Sequence, residues 1–371
     1  MVKHFPGGGP QRDGDDPHFA WGREQIYPGH NAAHHLRPFR AALDAGAAEV
    51  MPYYGMPVGT DWDEVGFGFN KSVIAGLLRE QLGFDGIVCT DWGLVSDHPG
   101  LGDLGVARAW GVEHLSREER VLRVIDAGVD QFGGEDCTDV LLGLVRDGRI
   151  TESRIDQSVR RLLRVTFALG LFERPFVDED VAANALGRTD FRDAGLAAQR
   201  DSLTLLTNSG LLPLHRGIKV FAPQLGQAAL DGYATIVDDI ADADVAVLRI
   251  KAPFEPRSEG MAALFHHGSL EFGADERRRI LDVCAQVPTV IDVYLDRPAV
   301  LTPLAGAAAA IIANFGAAEE PLLDVLFGTS GKRGSLPFDL PRSHAAVVAS
   351  RTDVAFDTVD PLFRFGHGLR Y

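Results

Sequence analysis

Gly83-Phe84-Asp85-Gly86-Ile87-Val88-Cys89-Thr90-Asp91-Trp92 is the stretch that decides the fold, because it carries an acid and an indole just past a short apolar run. Residues 87–89 are apolar and follow a glycine turn, which predicts a buried strand. Residues 70–82 have apolar side chains at helical spacing and predict a helix that begins after Asn70. Asp91 then lies at the carboxyl end of the strand, which faces the active site in an α/β barrel. The simpler alternative is that Asp91 only caps the next segment.

Four motifs around this strand form a recognisable set. They are Phe69-Asn70, Leu77-Leu78-Arg79, Leu82-Gly83-Phe84-Asp85-Gly86 and Thr90-Asp91-Trp92. Together they resemble the signature of glycoside hydrolase family 3, in which the aspartate of an (S/T)-D-W motif is the catalytic nucleophile. The resemblance implies that Asp91 is the nucleophile and that Trp92 contacts the sugar.

The composition predicts a globular protein with two domains. The chain has 371 residues, of which 46% are hydrophobic and 24% are charged. This composition is not typical of a disordered or a fibrous protein. The formal net charge is −16 and no cluster of lysine or arginine stands out. Because a nucleic acid or an anionic membrane needs a basic surface, both are excluded as expected partners.

The cysteines and the N-terminus exclude several further classes. The three cysteines, Cys89, Cys137 and Cys284, are odd in number and widely spaced, so they predict neither a disulfide framework nor a zinc site. No apolar run reaches the roughly 18 residues of a membrane helix, and the first residues do not resemble a signal peptide. The localisation is not predicted: the chain as it stands would be cytoplasmic, and a signal peptide on a missing N-terminus is the alternative. No metal or cofactor is expected.

The chain opens with a strand that breaks at once into a glycine and proline loop, Val2-Lys3-His4-Phe5-Pro6-Gly7-Gly8-Gly9-Pro10. Lys3 to Gly7 resembles the K-H-F-x-G motif on a middle strand of the family's barrel, whose Lys and His hydrogen-bond the sugar next to the cleaved bond. The resemblance gives Lys3 and His4 that role. The alternative is an ordinary surface pair near a terminus.

Residues 7–29 predict a long polar loop without an element of its own, and loops of this length are usually functional. The loop contains Asp16-Pro17-His18, which is similar to the Asp-x-His dyad that serves as general acid/base in family members acting on N-acetylglucosaminides. The alternative is that the aspartates cap turns and His18 packs on a neighbouring aromatic ring.

Two further strands are predicted in this half of the chain. Residues 48–55 end in Met51 and Tyr54, and the family has a comparable strand that ends at the sugar, which makes both residues candidates for substrate contact. A buried aromatic residue is the alternative for Tyr54. Residues 127–135 predict a strand that runs into a glycine-rich turn, and residues 151–169 predict a helix with one apolar side.

The predicted fold class is α/β: the C-terminal half of a TIM (β/α)8 barrel in residues 1–185, followed by an α/β sandwich domain in residues 186–371. Four strand–helix units precede a surface linker at residues 173–193. The order of the family motifs places these four units as the second half of the family's barrel. The resemblance therefore implies a chain that is truncated within the barrel. The sandwich is predicted from apolar runs at 218–221, 245–250, 289–294 and 309–313 that alternate with helical segments.

The second carboxyl group of the reaction is expected in the second domain. In the family it is often a glutamate on a loop after the strand that corresponds here to residues 245–250. Glu255 and Glu259 both lie there, and Glu259 is preferred by a small margin because Glu259-Gly260 is similar to a family motif. The alternative for either residue is a solvated loop acid.

The resemblance therefore implies a retaining, exo-acting β-glycosidase similar to β-glucosidases, with a small glycoside or oligosaccharide as substrate. Two alternatives stay open. One is a β-N-acetylhexosaminidase-type enzyme that uses Asp16 and His18, and the other is an inactive fragment that binds only sugar or a partner chain. Sugar specificity and oligomeric state are not predicted.

Overall fold

The computed structural model describes residues 1–98, 105–257, 260–329 and 334–371. Backbone contacts divide them into two units. The first unit reaches residue 177 and also includes two later segments, residues 260–265 and 351–354, and the second unit contains the remaining residues. Segments from far along the chain therefore complete the first unit.

The first unit is built on parallel strands. Its strands are β1 (Val2–Phe5), β2 (Glu24–Gln25), β3 (Glu49–Pro52), β4 (Met56–Pro57) and β5 (Ile87–Val88). β1, β3 and β5 form one parallel sheet in that order, with Val2 opposite Val50 and Val50 opposite Val88. The carboxyl ends of all three strands therefore lie at the same edge of the sheet.

The predicted fourth strand is much shorter than expected. Within residues 127–135 a single bridge joins Gln131 to Cys89 in parallel. Asp130, just before it, has a fully buried side chain that accepts hydrogen bonds from the Val88 amide (3.0 Å) and from Arg79 Nη2 (2.7 Å). These bonds hold the segment beside β5, where the expected strand would have paired.

Helices longer than a single turn accompany this sheet in the described residues. They are α1 (Ala32–Asp44), a π-helix (Ser72–Gln81), α2 (Arg117–Ala127), α3 (Thr138–Arg146) and α4 (Glu152–Ala168). The helix predicted over residues 70–82 is thus of the π type, and Asn70 Oδ1 accepts the Val73 amide at 3.2 Å, as a capping residue does. α2 begins with a capping box between Ser116 and Glu119.

One hydrophobic core joins the sheet to these helices. It contains Phe5, Val50 and Val88 from the strands together with buried residues of α1, the π-helix, α2 and α3. α4 differs, because the apolar side predicted from its sequence is largely open: Val159 and Leu163 are each 42% exposed and Phe167 is 60% exposed. The predicted helix is therefore confirmed, and much of its apolar side is exposed.

The loop at residues 7–29 contains more structure than predicted. It forms 3₁₀ turns at Arg12–Gly14 and Ala20–Gly22, and β2 pairs in parallel with β4. The loop is also tied to the far end of the chain. Asp353, which is fully buried, accepts the Gly29 amide at Oδ1 and the Asn31 amide at Oδ2, both at 2.8 Å.

The second unit contains a six-stranded sheet. Its strands are β6 (Thr204–Asn208), β7 (Lys219–Phe221), β8 (Thr235–Ile236), β9 (Val245–Lys251), β10 (Thr289–Tyr294) and β11 (Ala310–Asn314). Their order is β6-β11-β10-β9-β7-β8, with β6 antiparallel to β11 and the other pairs parallel. The four predicted apolar runs are therefore confirmed as β7, β9, β10 and β11, whereas β6 and β8 were not predicted.

Helices accompany the second sheet. They are α5 (Glu179–Ala185), α6 (Thr189–Ser202), α7 (Gln227–Leu230), α8 (Ala274–Cys284), α9 (Thr302–Ala305), α10 (Glu319–Leu326) and α11 (His344–Ala349). Residues 173–193, predicted as a surface linker, are all exposed, and they also contain two helical segments that were not predicted, α5 and the first turn of α6. Adjacent β10 residues, Val290 and Ile291, belong to two different hydrophobic clusters, so both faces of the sheet are buried.

No helix in the described part of the chain is both long and apolar enough to span a membrane. The three cysteines are free thiols, and burial raises the pKa of Cys89 to about 11 and of Cys137 to about 11.

Candidate active site

Asp91 lies two residues past the bridged Cys89, at the carboxyl edge of the first sheet. The residue is 8% exposed. Its Oδ1 accepts the Trp92 amide at 2.8 Å, and its Oδ2 lies 3.4 Å from His4 Nε2. The structure thus brings together two residues, His4 and Asp91, that are far apart in the sequence and are both proposed from motifs.

His4 stands on β1, where burial and charge act on it in opposite directions. Burial lowers its pKa below 6.5 and is the larger effect, while the Asp91 carboxylate raises it. The neutral imidazole is therefore favoured, and it can exchange hydrogen bonds without carrying a charge. Lys3 is exposed and pairs in register with Met51 of β3.

Tyr54 contacts the backbone beside Asp91. Its hydroxyl donates to the Trp92 carbonyl at 2.6 Å, and burial, supported by the negative charge of Asp91, raises its pKa above 10. The phenol therefore stays protonated and keeps this donor. Tyr54 and Met51 are both almost fully buried. For Tyr54 this burial agrees with the alternative of a buried aromatic residue.

Asp16 and His18 form a close pair at the same site. Asp16 Oδ1 lies 2.6 Å from His18 Nδ1 and also accepts the His18 amide at 2.9 Å. The His18 ring contacts Tyr54, with centroids 4.7 Å apart, and Phe265, with centroids 5.3 Å apart. Tyr54 in turn donates to the carbonyl of Trp92, the residue after Asp91, so the pair lies close to the Asp91 segment.

Glu255 belongs to the second unit. Its amide donates to the His267 carbonyl at 2.9 Å, and its carboxylate accepts the Ser269 amide at 3.1 Å. Both bonds join it to a neighbouring backbone segment. Glu259 lies outside the described residues.

The comparisons with known proteins agree with the motifs. Residues 1–165 match the Glycosyl hydrolase family 3 N terminal domain, and residues 227–371 match the Glycosyl hydrolase family 3 C-terminal domain. The chain belongs to glycoside hydrolase family 3. The resemblance found from the motifs around Asp91 is thereby confirmed, and so is the α/β class of the fold.

Relatives in family 3 match along the whole chain. Beta-glucosidase C of Emericella nidulans is 50% identical over 376 residues, covering 100% of this chain and 61% of that protein. A periplasmic beta-glucosidase/beta-xylosidase of Dickeya chrysanthemi is 38% identical over 388 residues, covering 100% of this chain and 59% of that protein. The chain therefore spans about 60% of the length of these relatives.

Solved structures share the fold. A β-glucosidase from Erythrobacter marinus superposes with a TM-score of 0.77 at 23% identity, covering 100% of this chain and 58% of that one. At this identity the similarity supports the family 3 fold and says nothing further about the chemistry.

Two residues of this site, Arg108 and Trp110, lie outside the motifs found in the sequence. Arg108 Nε donates to the His18 carbonyl at 3.3 Å, and Trp110 Nε1 donates to the Pro17 carbonyl at 2.8 Å. Together they fix the segment that carries the Asp16 and His18 pair. No local pattern marks Arg108 or Trp110, because their partners lie about 90 positions earlier in the chain.

No group of three or more possible metal ligands occurs in residues 1–98, 105–257, 260–329 and 334–371. The site brings together five potential proton donors and acceptors: Asp91, His4, Tyr54, Asp16 and His18.

Proposed function

We propose that this chain carries the nucleophile and part of the sugar site of a retaining, exo-acting β-glycosidase. The observation that supports this most is the position of Asp91 at the carboxyl edge of parallel strands, with Oδ1 on the Trp92 amide and Oδ2 beside His4. Catalytic residues of α/β barrels occupy this edge. The names of the family 3 relatives, a β-glucosidase and a β-glucosidase/β-xylosidase, favour a β-glucoside or a similar sugar as substrate.

Retention requires two carboxyl groups about 5–5.5 Å apart. Asp91 attacks the anomeric carbon, and the bond to the leaving oxygen breaks as the acid transfers its proton to that oxygen. Water then attacks the glycosyl ester, the deprotonated acid residue accepts the proton of the water, and the Asp91 carboxylate is released. We assign the acid to Glu259 or Glu255.

The remaining residues hold the sugar in this proposal. His4 and Lys3 donate hydrogen bonds to hydroxyl groups of the ring next to the cleaved bond, and Trp92 offers an indole face. Met51 and Tyr54 support the site from β3 and from the segment after it. We further propose that residues 1–185 represent half of a TIM barrel and residues 186–371 an α/β sandwich domain, in agreement with the parallel order of β1, β3 and β5.

The test is trapping of the nucleophile in the full chain. A 2-fluoro glucoside is expected to label the peptide that contains Asp91, as located by mass spectrometry. Asp91→Asn is expected to lower p-nitrophenol release from aryl β-glucosides by roughly 10⁴-fold or more while leaving the circular dichroism unchanged. A label on another residue, or unchanged activity in Asp91→Asn, would disprove the assignment.

One observation favours a second candidate function. The 2.6 Å pair of Asp16 and His18 lies against Tyr54, so an Asp-His dyad acting as general acid/base on N-acetylglucosaminides has the required residues. A chain that binds sugar without hydrolysing it is the third possibility. Absence of p-nitrophenol release from both glucosides and N-acetylglucosaminides, together with measurable sugar binding, would favour that one.

A further inference from the structure

The indole of Trp92 lies directly on two glycines of the segment that follows Gln131. A Cβ atom added to Gly133 would come within 2.9 Å of Trp92 Cε3, and one added to Gly134 within 2.6 Å of Trp92 Cγ. Real Cβ atoms are essentially never found so close to another heavy atom. Any side chain at Gly134 would therefore have to displace the indole.

The same segment is fixed to the strand that carries Asp91. The Gly133 amide donates to Thr90 Oγ1 at 2.8 Å, and the Thr90 amide donates to the Gln131 carbonyl at 2.9 Å. Gly134 has φ +60°, in the left-handed region that favours glycine. The two glycines thus form a rigid floor under Trp92.

Glu135 holds the backbone a few residues after the indole. Its Oε1 accepts the Val95 amide at 2.8 Å and the Ser96 amide at 3.4 Å. Tyr54 fixes the Trp92 carbonyl at 2.6 Å. Trp92 is therefore anchored by its backbone and by one ring face, yet it remains 54% exposed.

We propose that Gly134 and Glu135 are positioning residues that hold the Trp92 indole beside Asp91, and so set how tightly the substrate ring next to the cleaved bond is bound. The proposal rests on the function proposed above. An aromatic ring that is already fixed loses little conformational entropy on binding, so a ring held in place binds a sugar more tightly than a free one. The glycine floor restrains the ring itself, and the carboxylate of Glu135 restrains the backbone that follows it.

The experiment is a double-mutant cycle between Gly134→Ala and Trp92→Ala. Gly134→Ala in the full chain is expected to raise KM for an aryl β-glucoside roughly 10- to 100-fold, with a smaller effect on kcat, because the indole is misplaced. In the Trp92→Ala background the same substitution is expected to have no further effect on KM. Effects that simply add in the double variant would overturn the proposal.

Gly148→Ala is the matched control. Gly148 has φ +72°, similar to that of Gly134, but no atom lies within 4 Å of the position that an added Cβ atom would take, so it tests backbone strain without a clash. We expect its KM to equal that of the unmodified chain. An equal rise of KM in Gly148→Ala and Gly134→Ala would show that strain, not the indole, is responsible.

Glu135 gives a second test if Gly134→Ala fails to fold. Glu135→Gln keeps an oxygen acceptor for the Val95 amide and is expected to retain most of the affinity, whereas Glu135→Ala is expected to raise KM. Equal effects of the two would contradict a positioning role.

Tryptophan fluorescence separates this proposal from the proposed function. Gly134→Ala should change the emission in the presence of Trp92 and leave it unchanged in the Trp92→Ala background, whether or not the chain hydrolyses glycosides. Loss of activity with this pattern intact would reject only the function, and absence of the pattern would reject the positioning role.

Discussion

At the scale of single residues, His4 links the site to the stability of the fold. Burial lowers its pKa below 6.5 in the folded chain, so the unfolded chain binds more protons between the two pKa values. The contribution of neutral His4 to the free energy of unfolding is fully present above about pH 6.5. It is lost as the pH falls from there through the pKa of His4 in the folded chain.

His4→Gln should therefore remove a pH dependence. Relative to the variant, the free energy of unfolding of the unmodified chain is expected to rise with pH up to about 6.5 and then stay constant, by at most about 1.4 kcal/mol per pH unit. Urea denaturation at several pH values measures this difference. His114→Gln, at an exposed position, is the control. A difference that falls with rising pH would contradict the predicted shift.

The acid/base residue gives a second prediction at this scale. If a carboxylic acid protonates the leaving group, Glu259→Ala or Glu255→Ala should lower kcat by roughly 10²- to 10⁴-fold on poor leaving groups and much less on activated ones such as dinitrophenolate. His18→Ala should then cost far less. The opposite ranking, together with a preference for N-acetylglucosaminides, would assign the role to the Asp16 and His18 pair.

Much of the candidate site could be predicted from sequence, because Asp91, His4 and Tyr54 each lie in a motif at a strand end. Gly134 and Arg108 could not be predicted. Gly134 matters through a ring 42 positions earlier, and Arg108 through a carbonyl 90 positions earlier. No local pattern encodes such contacts, which depend on how strands are placed side by side.

At the scale of elements, apolar runs with both faces buried were predictable, and β9, β10 and β11 occur close to the expected positions. Apolar periodicity could not distinguish a π-helix from an α-helix at Ser72–Gln81. The residues after α2 predict a full strand, yet only Gln131 is bridged. Pairing partners decide strand length, and a single segment does not specify them.

At the scale of the whole molecule, the open apolar side of α4 is the feature with the clearest consequence for behaviour in solution. Val159, Leu163 and Phe167 repeat every fourth residue and are all exposed, and Phe172 packs on Phe167 with centroids 4.6 Å apart. Exposed apolar patches of this kind commonly mark sites of association.

We therefore expect the chain to self-associate or aggregate at micromolar concentration. Light scattering after size exclusion measures this. The double variant Leu163→Lys and Phe167→Lys is expected to shift the distribution towards the monomer, whereas Gln157→Lys, which adds charge at an exposed polar position of the same helix, should have little effect. A monodisperse monomer at all concentrations tested would contradict this expectation.

The hydrogen bonds between Asp353 and the amides of Gly29 and Asn31 span up to 324 positions. They therefore limit where the coding sequence can be cut into parts that are expressed or exchanged separately. An expression boundary near residue 177 separates the loop at Gly29 and Asn31 from the carboxylate that satisfies two of its amides. Partly buried amides that lose a charged acceptor are costly. Domain exchange between homologues would thus have to carry residues 351–354 together with the N-terminal segment, and a single crossover near residue 177 would separate the two.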